Sequence, residues 1–378
     1  MLEPFATDLR RDGVVGEDRL AKLVYLALTT RLLARRVSLA VKGPSSAGKS
    51  YVTGKVISFF PEDACHVVTA MSERVLAYGQ EPLEHRMLVV FEADGVSGEF
   101  GQYLLRSLLS EGRLAYETVD KTNDGLAARR IEREGPTGLL VTTKLAMHAE
   151  NETRLLSVEV SDMRAQTRSI LVEIANDRSD TVDRAPWIAL QSWLALAPSE
   201  VVIPYAALLA DVVDDSATRM RRDFSALLSL IHAHALLHRD QRAVDGRGRV
   251  TATIADYAGV HALVSDLIAA GVEQSAPATV RDTVGAVRSL LAAKAPVASA
   301  TTKEIAAELG LDPSAASRRL SAARRRGFLE NDAVKGRPAQ WALADPLPDD
   351  RAALPAPNHL ARLWGEASAC ARADDAGD

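Results

Sequence analysis

Gly43-Pro44-Ser45-Ser46-Ala47-Gly48-Lys49-Ser50 follows a short apolar run, residues 37–41, and opens a segment of helical character, residues 50–60. The pattern is G-x-x-x-x-G-K-[ST]. In such a loop the backbone N–H groups wrap phosphates, assisted by the positive end of the following helix. Lys49 supplies charge to the outer phosphates, and Ser50 supplies a hydroxyl to Mg²⁺. Gly43 and Gly48 allow backbone angles that a side chain resists. Strand before and helix after separate this motif from an ordinary strand-to-helix turn. The ligand implied is a nucleoside triphosphate such as ATP with Mg²⁺, cradled by Gly43, Pro44, Ser45, Ser46, Ala47, Gly48, Lys49 and Ser50.

Outward from the loop, residues 17–36 carry an apolar helical stripe that includes Leu20, Leu23, Val24, Ala27 and Leu28. Residues 87–91 form a second apolar run, ending in Glu92-Ala93-Asp94; residues 98–110 are helical; residues 139–143 are a third run. Strands alternating with helices predict an α/β domain with a mostly parallel sheet. Between the last helix and strand, residues 114–119 and 126–131 suit the arms of a hairpin, with residues 120–125 as its turn. A carboxylate at a strand end can hold a metal shell or polarise an attacking water. Two assignments stay open. Glu92 is the catalytic base with the metal role relaxed, or it takes the metal role with Asp94 nearby. Asp94 before Gly95 is also ordinary turn chemistry.

The full chain has 378 residues and a formal charge of −5, so the total charge does not announce nucleic acid. The charge is uneven, however. Residues 301–343 carry a balance of +3, and residues 345–378 a balance of −4. Within the basic segment, Thr301 caps one short helix; Asp312 and Pro313 start another whose apolar stripe is Ala316, Leu320 and Ala323. That is helix, tight turn, helix, followed by two strand-like runs with Lys335-Gly336-Arg337-Pro338 between them. Cys65 and Cys370 are the two cysteines and sit in no CxxC pair, so neither a disulfide framework nor a zinc site follows. His234 and His238 share a helical spacing without a carboxylate motif and read as packing residues. The N-terminus lacks an apolar export segment, and no run approaches the roughly 20 apolar residues of a membrane span. A cytoplasmic protein with no membrane partner is expected.

The order of motifs resembles the AAA+ ATPases, over about residues 15–240. It is most similar to the branch with a hairpin before the sensor-one strand, which includes the minichromosome maintenance helicases and the superfamily-three helicases of viruses and mobile elements. Residues 88–92 look like a Walker B strand, departing from the usual Asp-Glu because Phe91 precedes Glu92. The resemblance implies that Thr143, with Thr142 close behind, is the sensor-one residue. It implies that Arg154 is an arginine finger offered to a neighbouring subunit, and that Arg222 is the sensor-two arginine, with Arg221 and Arg219 as competitors. Lys121 at the hairpin tip would meet nucleic-acid backbone. The basic C-terminal segment resembles a winged helix, implying base contacts from Ser314, Ser317 and Arg318 and phosphate contacts from Arg324, Arg325, Lys335 and Arg337.

The expected fold is therefore a P-loop NTPase sheet of AAA+ type (residues 1–175), a helical lid and linker (176–290), a winged helix-turn-helix (291–345) and a flexible acidic tail (346–378). The expected activity is an ATP-driven motor on DNA, a helicase or replication-initiation ATPase. It would work as a homo-oligomeric ring, such as a hexamer, with any primase on a separate chain. A DNA-bound regulator, a helicase loader and a weakly hydrolysing nucleotide scaffold are the rival expectations.

Overall fold

The computed structural model describes every residue except 73, 93–98, 123–124, 136, 145–148, 177–181, 216, 295–298, 332–338, 348–351 and 375–378. Its chain forms two compact units. The first comprises Met1–Leu208, Arg222–Val264 and Ala356–Asp378, the second Leu209–Arg221 and Ser265–Pro355.

In the first unit, helices α1 (Leu2–Arg11) and α2 (Asp18–Thr29) precede strand β1 (Leu39–Lys42), which runs into the phosphate loop and helix α3 (Lys49–Ile57). Then come β2 (Cys65–Val68), α4 (Val75–Tyr78), β3 (Arg86–Val90) and α5 (Glu99–Glu111). A hairpin of β4 (Leu114–Thr122) and β5 (Gly125–Arg133) leads to β6 (Thr137–Thr143), α6 (Ala149–Glu152) and β7 (Leu156–Glu159). The main sheet has the order β2-β3-β6-β1-β7, with every pair parallel. Its central strands are buried on both faces: Leu39, Ala40, Leu88, Val89, Leu139 and Leu140 are all fully buried. That is why they read as continuous apolar runs rather than alternating ones.

Beyond the sheet lie α7 (Arg164–Asn176), α8 (Ala185–Leu196), β8 (Val201–Val202), α9 (Ala206–Val212), α10 (Met220–Leu237), β9 (Val250–Thr251) and α11 (Ile254–Ser275). α1 is an integral part of the first unit. Phe5 packs at 4.2 Å from the Tyr25 ring and edge-on to Phe59 and Trp187, and the Trp187 indole donates to Asp8 at 2.9 Å. α2 stops earlier than its apolar stripe. The hydroxyls of Thr29 and Thr30 bond back to the carbonyls of Tyr25 and Ala27, and Thr30 Oγ1 accepts from the Val37 amide, turning the chain toward β1.

In the second unit, α12 (Ala278–Ala293) packs with α13 (Thr302–Glu308) and α14 (Pro313–Arg325). The strands β10 (Ala300–Thr301), β11 (Leu329–Asn331) and β12 (Gln340–Leu343) form an antiparallel sheet in the order β10-β12-β11. Thr301 and Glu304 make the reciprocal capping pair, and Asp312 Oδ1 accepts from the amides of Ser314 and Ala315 at 2.9 Å each. Ile305, Leu320, Ala323, Phe328 and Trp341 share one core with Val284 and Val287 of α12. The expected boundary at 290–291 therefore falls too late, because α12 supplies part of this core.

Two further expectations need correction. Residues 346–378 are not simply a flexible tail: α15 (Pro357–Asp374) is a helix of the first unit, with Leu360 fully buried and the Trp364 ring 6.3 Å from Tyr205. The acidic composition concealed two large apolar residues at i, i+4 after a favourable N-terminal proline. The hairpin is also longer than expected. Lys121 pairs with Leu126 in the ladder, and Thr122 pairs with Gly125, so the turn is shorter than residues 120–125.

Candidate nucleotide site

The loop between β1 and α3 has Gly48 at φ +83°, in the left-handed region that favours glycine, and Ser46 at φ +65°. This curvature gathers the loop around a cavity of about 260 Å³ lined by Ser45, Ser46, Ala47, Gly48, Lys49, Ser50, Tyr51, Glu92, Thr142, Thr143 and Lys144. Lys49 is almost buried. Its Nζ donates to the carbonyls of Gly43 at 2.7 Å and Pro44 at 2.6 Å, which holds the ammonium inside the curl of the loop. Parallel pairing sets the other walls. β3 and β6 lie side by side, so the second residue past β3, Glu92, and the polar end of β6 open onto the same space. Glu92 is exposed there, at φ +65°, and its backbone N–H donates to Thr142 Oγ1 at 3.1 Å. A non-glycine residue held at positive φ is costly, by about 1–3 kcal/mol. Here the strain turns a carboxylate from the strand end onto the cavity.

The cavity thus brings together Ser45, Ser46, Ala47, Gly48, Lys49, Ser50, Glu92 and Thr143. Thr142 is fixed to the Glu92 backbone, and Lys144 adds a cation that the motif reading missed. Hydroxyl and carboxylate oxygens are hard donors of the type Mg²⁺ prefers, so Ser50 and Glu92 fit that ion. Asp94 lies outside the described residues. Arg154 and Arg222 do not line the cavity. Arg222 is exposed and donates to Thr153 Oγ1 at 3.0 Å, and Arg154 Nε donates to Ser110 Oγ at 3.0 Å. Just before them, Glu152 pairs with Lys42 at the end of β1.

Motif reading also missed a second, larger cavity of about 980 Å³ that shares Ser45, Ser46, Ala47, Gly48 and Tyr51 with the first. Its apolar wall comes from Val14 and Val15 on one side and from Ile170, Leu171 and Ile174 of α7 on the other. Leu171 and Ile174 are 60% and 69% exposed, and α7 buries none of its residues, so this helix offers an apolar face without a protein partner among the described residues. Asp12 on the rim is neutralised by Lys55 at 3.1 Å and Arg184 at 2.8 Å. Glu17 is different. It is buried, its Oε1 accepts from the Ser161 amide at 3.1 Å and from Gln166 Nε2 at 2.5 Å, and burial raises its pKa. A sequence signal did exist, in the paired glycines of Gly13-Val14-Val15-Gly16 and the apolar cluster at 170–174.

The remaining candidates occupy exposed positions. Lys121 lies at the far end of the hairpin, beside Leu126, which is 79% exposed. Ser314, Ser317, Arg318, Arg324 and Arg325 lie on the solvent side of α14, opposite buried Ala316, Leu320 and Ala323. Lys335 and Arg337 lie outside the described residues. His234, His238 and Asp256 stand at metal-like spacing, but both Asp256 oxygens already accept from Arg242, at 2.6 and 2.9 Å, consistent with an ion network.

One sheet therefore carries the phosphate loop after its β1 strand, an acidic end at β3 and a polar end at β6. β1 sits between β6 and β7, and a hairpin is inserted before β6. The parallel sheet and the loop between β1 and α3 are those of a P-loop NTPase fold. No family model matches the chain, and no curated protein does. Among solved structures, the chain is similar to a full-length MCM homolog from Methanopyrus kandleri, at 13% identity and TM-score 0.44, over 71% of this chain and 59% of that one. The chain thus spans about three fifths of the Methanopyrus protein. It is also similar to the Aeropyrum pernix ORC1 protein in complex with DNA, at 13% identity and TM-score 0.29, over 93% of each chain. A third similar structure is a RuvB mutant of Thermotoga maritima, at 12% identity and TM-score 0.30, over 88% of this chain and 94% of that one. At these scores the assignment rests on this chain's own sheet and loop. Among the described residues, no helix is long and apolar enough to cross a membrane.

Proposed function

We propose that this chain is an ATP-hydrolysing AAA+ motor that acts on DNA as a helicase or replication-initiation ATPase of a mobile element. The carrying observation is the convergence of Lys49, Ser50, Glu92 and Thr143 on one cavity beside the phosphate loop. The triphosphate lies along the loop, with its base and ribose in the larger adjoining cavity, between the Val14–Val15 turn and α7. Mg²⁺, when bound, neutralises phosphate charge. Glu92 polarises the attacking water, Thr143 orients it, and Lys49 balances charge on the outer phosphates. Arg154 lies outside its own chain's cavity and serves a neighbour's site, which makes a homo-oligomeric ring, such as a hexamer, the working form. Arg222 acts as the sensor-two arginine.

DNA is met at two places. Lys121 at the hairpin end contacts backbone, and α14 of a winged helix enters a groove, with Ser314, Ser317 and Arg318 toward the bases and Arg324 and Arg325 toward phosphates. Lys335 and Arg337, which lie outside the described residues, would add phosphate contacts. A second reading is a DNA-bound switch, loader or scaffold that hydrolyses slowly. The Phe91-Glu92 pair, with no aspartate before the glutamate, favours it.

ATP turnover with and without forked DNA, together with strand separation, decides between these readings. The motor reading expects DNA to raise turnover and the fork to open. Glu92→Gln keeps ATP binding and lowers turnover by about 10²–10⁴-fold, the usual weight of a general base. An unaltered rate with DNA and an intact fork over a range of salt and subunit concentration would sink the motor.

A further inference from the structure

We infer that Glu17 selects the nucleobase, its carboxylate accepting the exocyclic amino group of adenine. This rests on the proposed nucleotide site and adds what that site distinguishes. Glu17 lines the larger cavity while being only 7% exposed. Its Oε1 is occupied by the Ser161 amide and the Gln166 side chain. Among the described residues no hydrogen bond reaches its Oε2 and no cation pairs with it, in contrast to the doubly paired Asp12 on the same rim. Gly16 helps to build this arrangement. It sits at φ +77°, and a Cβ there would meet Gln166 at 3.2 Å, so a side chain would push the glutamine off the carboxylate.

A buried carboxylate that lacks a cation is costly to keep unless a donor reaches it. The walls indicate which donor. Val14, Val15, Ile170, Leu171 and Ile174 form an apolar slot that suits a flat heteroaromatic ring, and the polar group at its margin is an acceptor. Adenine presents two N–H hydrogens from its 6-amino group. Hypoxanthine and guanine present a carbonyl oxygen at the same place, which a carboxylate repels; guanine could instead turn its N1–H and 2-amino group to the carboxylate, so GTP bound more tightly than ATP also overturns the inference. Burial raises the pKa of Glu17, which fits a poorly solvated carboxylate facing the cavity.

The test is equilibrium binding of ATP, ITP and GTP, each with Mg²⁺, to the full chain. ATP is expected to bind on the order of ten- to a hundredfold more tightly than ITP or GTP, the worth of a hydrogen bond to a charged group. Glu17→Gln presents an amide that can donate to a 6-oxo group, so the ATP-to-ITP ratio should fall to about one or below. A strut that only braced the turn would weaken all three nucleotides equally and leave the ratio unchanged. Equal binding of ATP and ITP by the unaltered chain overturns the inference while leaving the nucleotide site standing. Failure of all three to bind overturns both.

Discussion

Asp256 shows how one side chain can hold a region together. It is fully buried, yet its oxygens accept from Arg242 Nη2 at 2.6 Å, Arg242 Nε at 2.9 Å, and the Thr253 amide and hydroxyl at 2.7 and 3.0 Å, with His234 Nδ1 at 2.8 Å. Burial works to raise its pKa, but the bonds from His234, Arg242 and Thr253 outweigh it and hold the carboxyl well below its ordinary value of 3.8. A depressed carboxylate stabilises the fold above the unfolded-state pKa, and the contribution is lost as pH falls toward the folded value. Asp256→Asn should therefore cost about 3–5 kcal/mol at pH 7, because it leaves Arg242 charged and unpartnered. Denaturant titrations of both chains from pH 7 to pH 3 should show the gap closing below about pH 5. A gap that stays constant over that range would mean the charge is not its source.

Among the elements, the hairpin carries the clearest expectation. β4 and β5 pair along their length, and most of β5 is solvent-exposed, with Arg129 tied to Asp120 at 3.2 Å and Arg130 paired to Glu132. Those arginines are already balanced, which leaves Lys121 as the cation nearest the end of the ladder without an ion pair among the described residues. Lys121→Ala should lower the slope of log affinity against log salt for DNA by about one, the signature of a lost phosphate contact. An identical slope would remove Lys121 from the interface. The hairpin, β3, β6 and the capped helices α13 and α14 were legible because each combines an apolar rhythm with turn or cap chemistry. β2 was not: Cys65-His66-Val67-Val68 is a four-residue edge strand of mixed polarity. β7 was obscured because Leu155-Leu156-Ser157-Val158 drew its reading from Arg154 just before it. α1 shows Phe5, Ala6 and Leu9 at helical spacing, but a stripe so short names no partner. The larger cavity left only a faint signal, the paired glycines at 13 and 16 and the apolar cluster at 170–174. Gly16, Glu17 and Gln166 meet only through the fold, across a sequence separation of about 150 residues.

For the whole molecule, the decisive fact is that Ala356–Asp378 belongs to the first unit although the second unit precedes it in the chain. Leu360 and Trp364 bring α15 onto that unit, and Tyr205 beside Trp364 donates to the Thr253 carbonyl at 2.8 Å, next to the Asp256 network. Ending the chain at residue 345 would remove this helix. The melting temperature should drop by several degrees, since removing the fully buried Leu360 alone forfeits about 1.5–3 kcal/mol of apolar burial and exposes the residues that α15 covers. Calorimetry of the shortened chain decides it, and an unchanged melting point would return the segment to the status of a dispensable tail.

Covalently, residues 265–355 are a parenthesis in the text of the first unit, opened within α11 and closed before α15. Such a segment can be replaced or deleted only if the sentence around it still closes. A flexible bridge joining residue 264 to residue 356 would keep the nucleotide cavity and α15 in one chain without α14, with residues 209–221 as the remnant of the second unit. Such a chain would separate ATP turnover from the contribution of α14 to DNA binding, which removing the C-terminal third outright could not do.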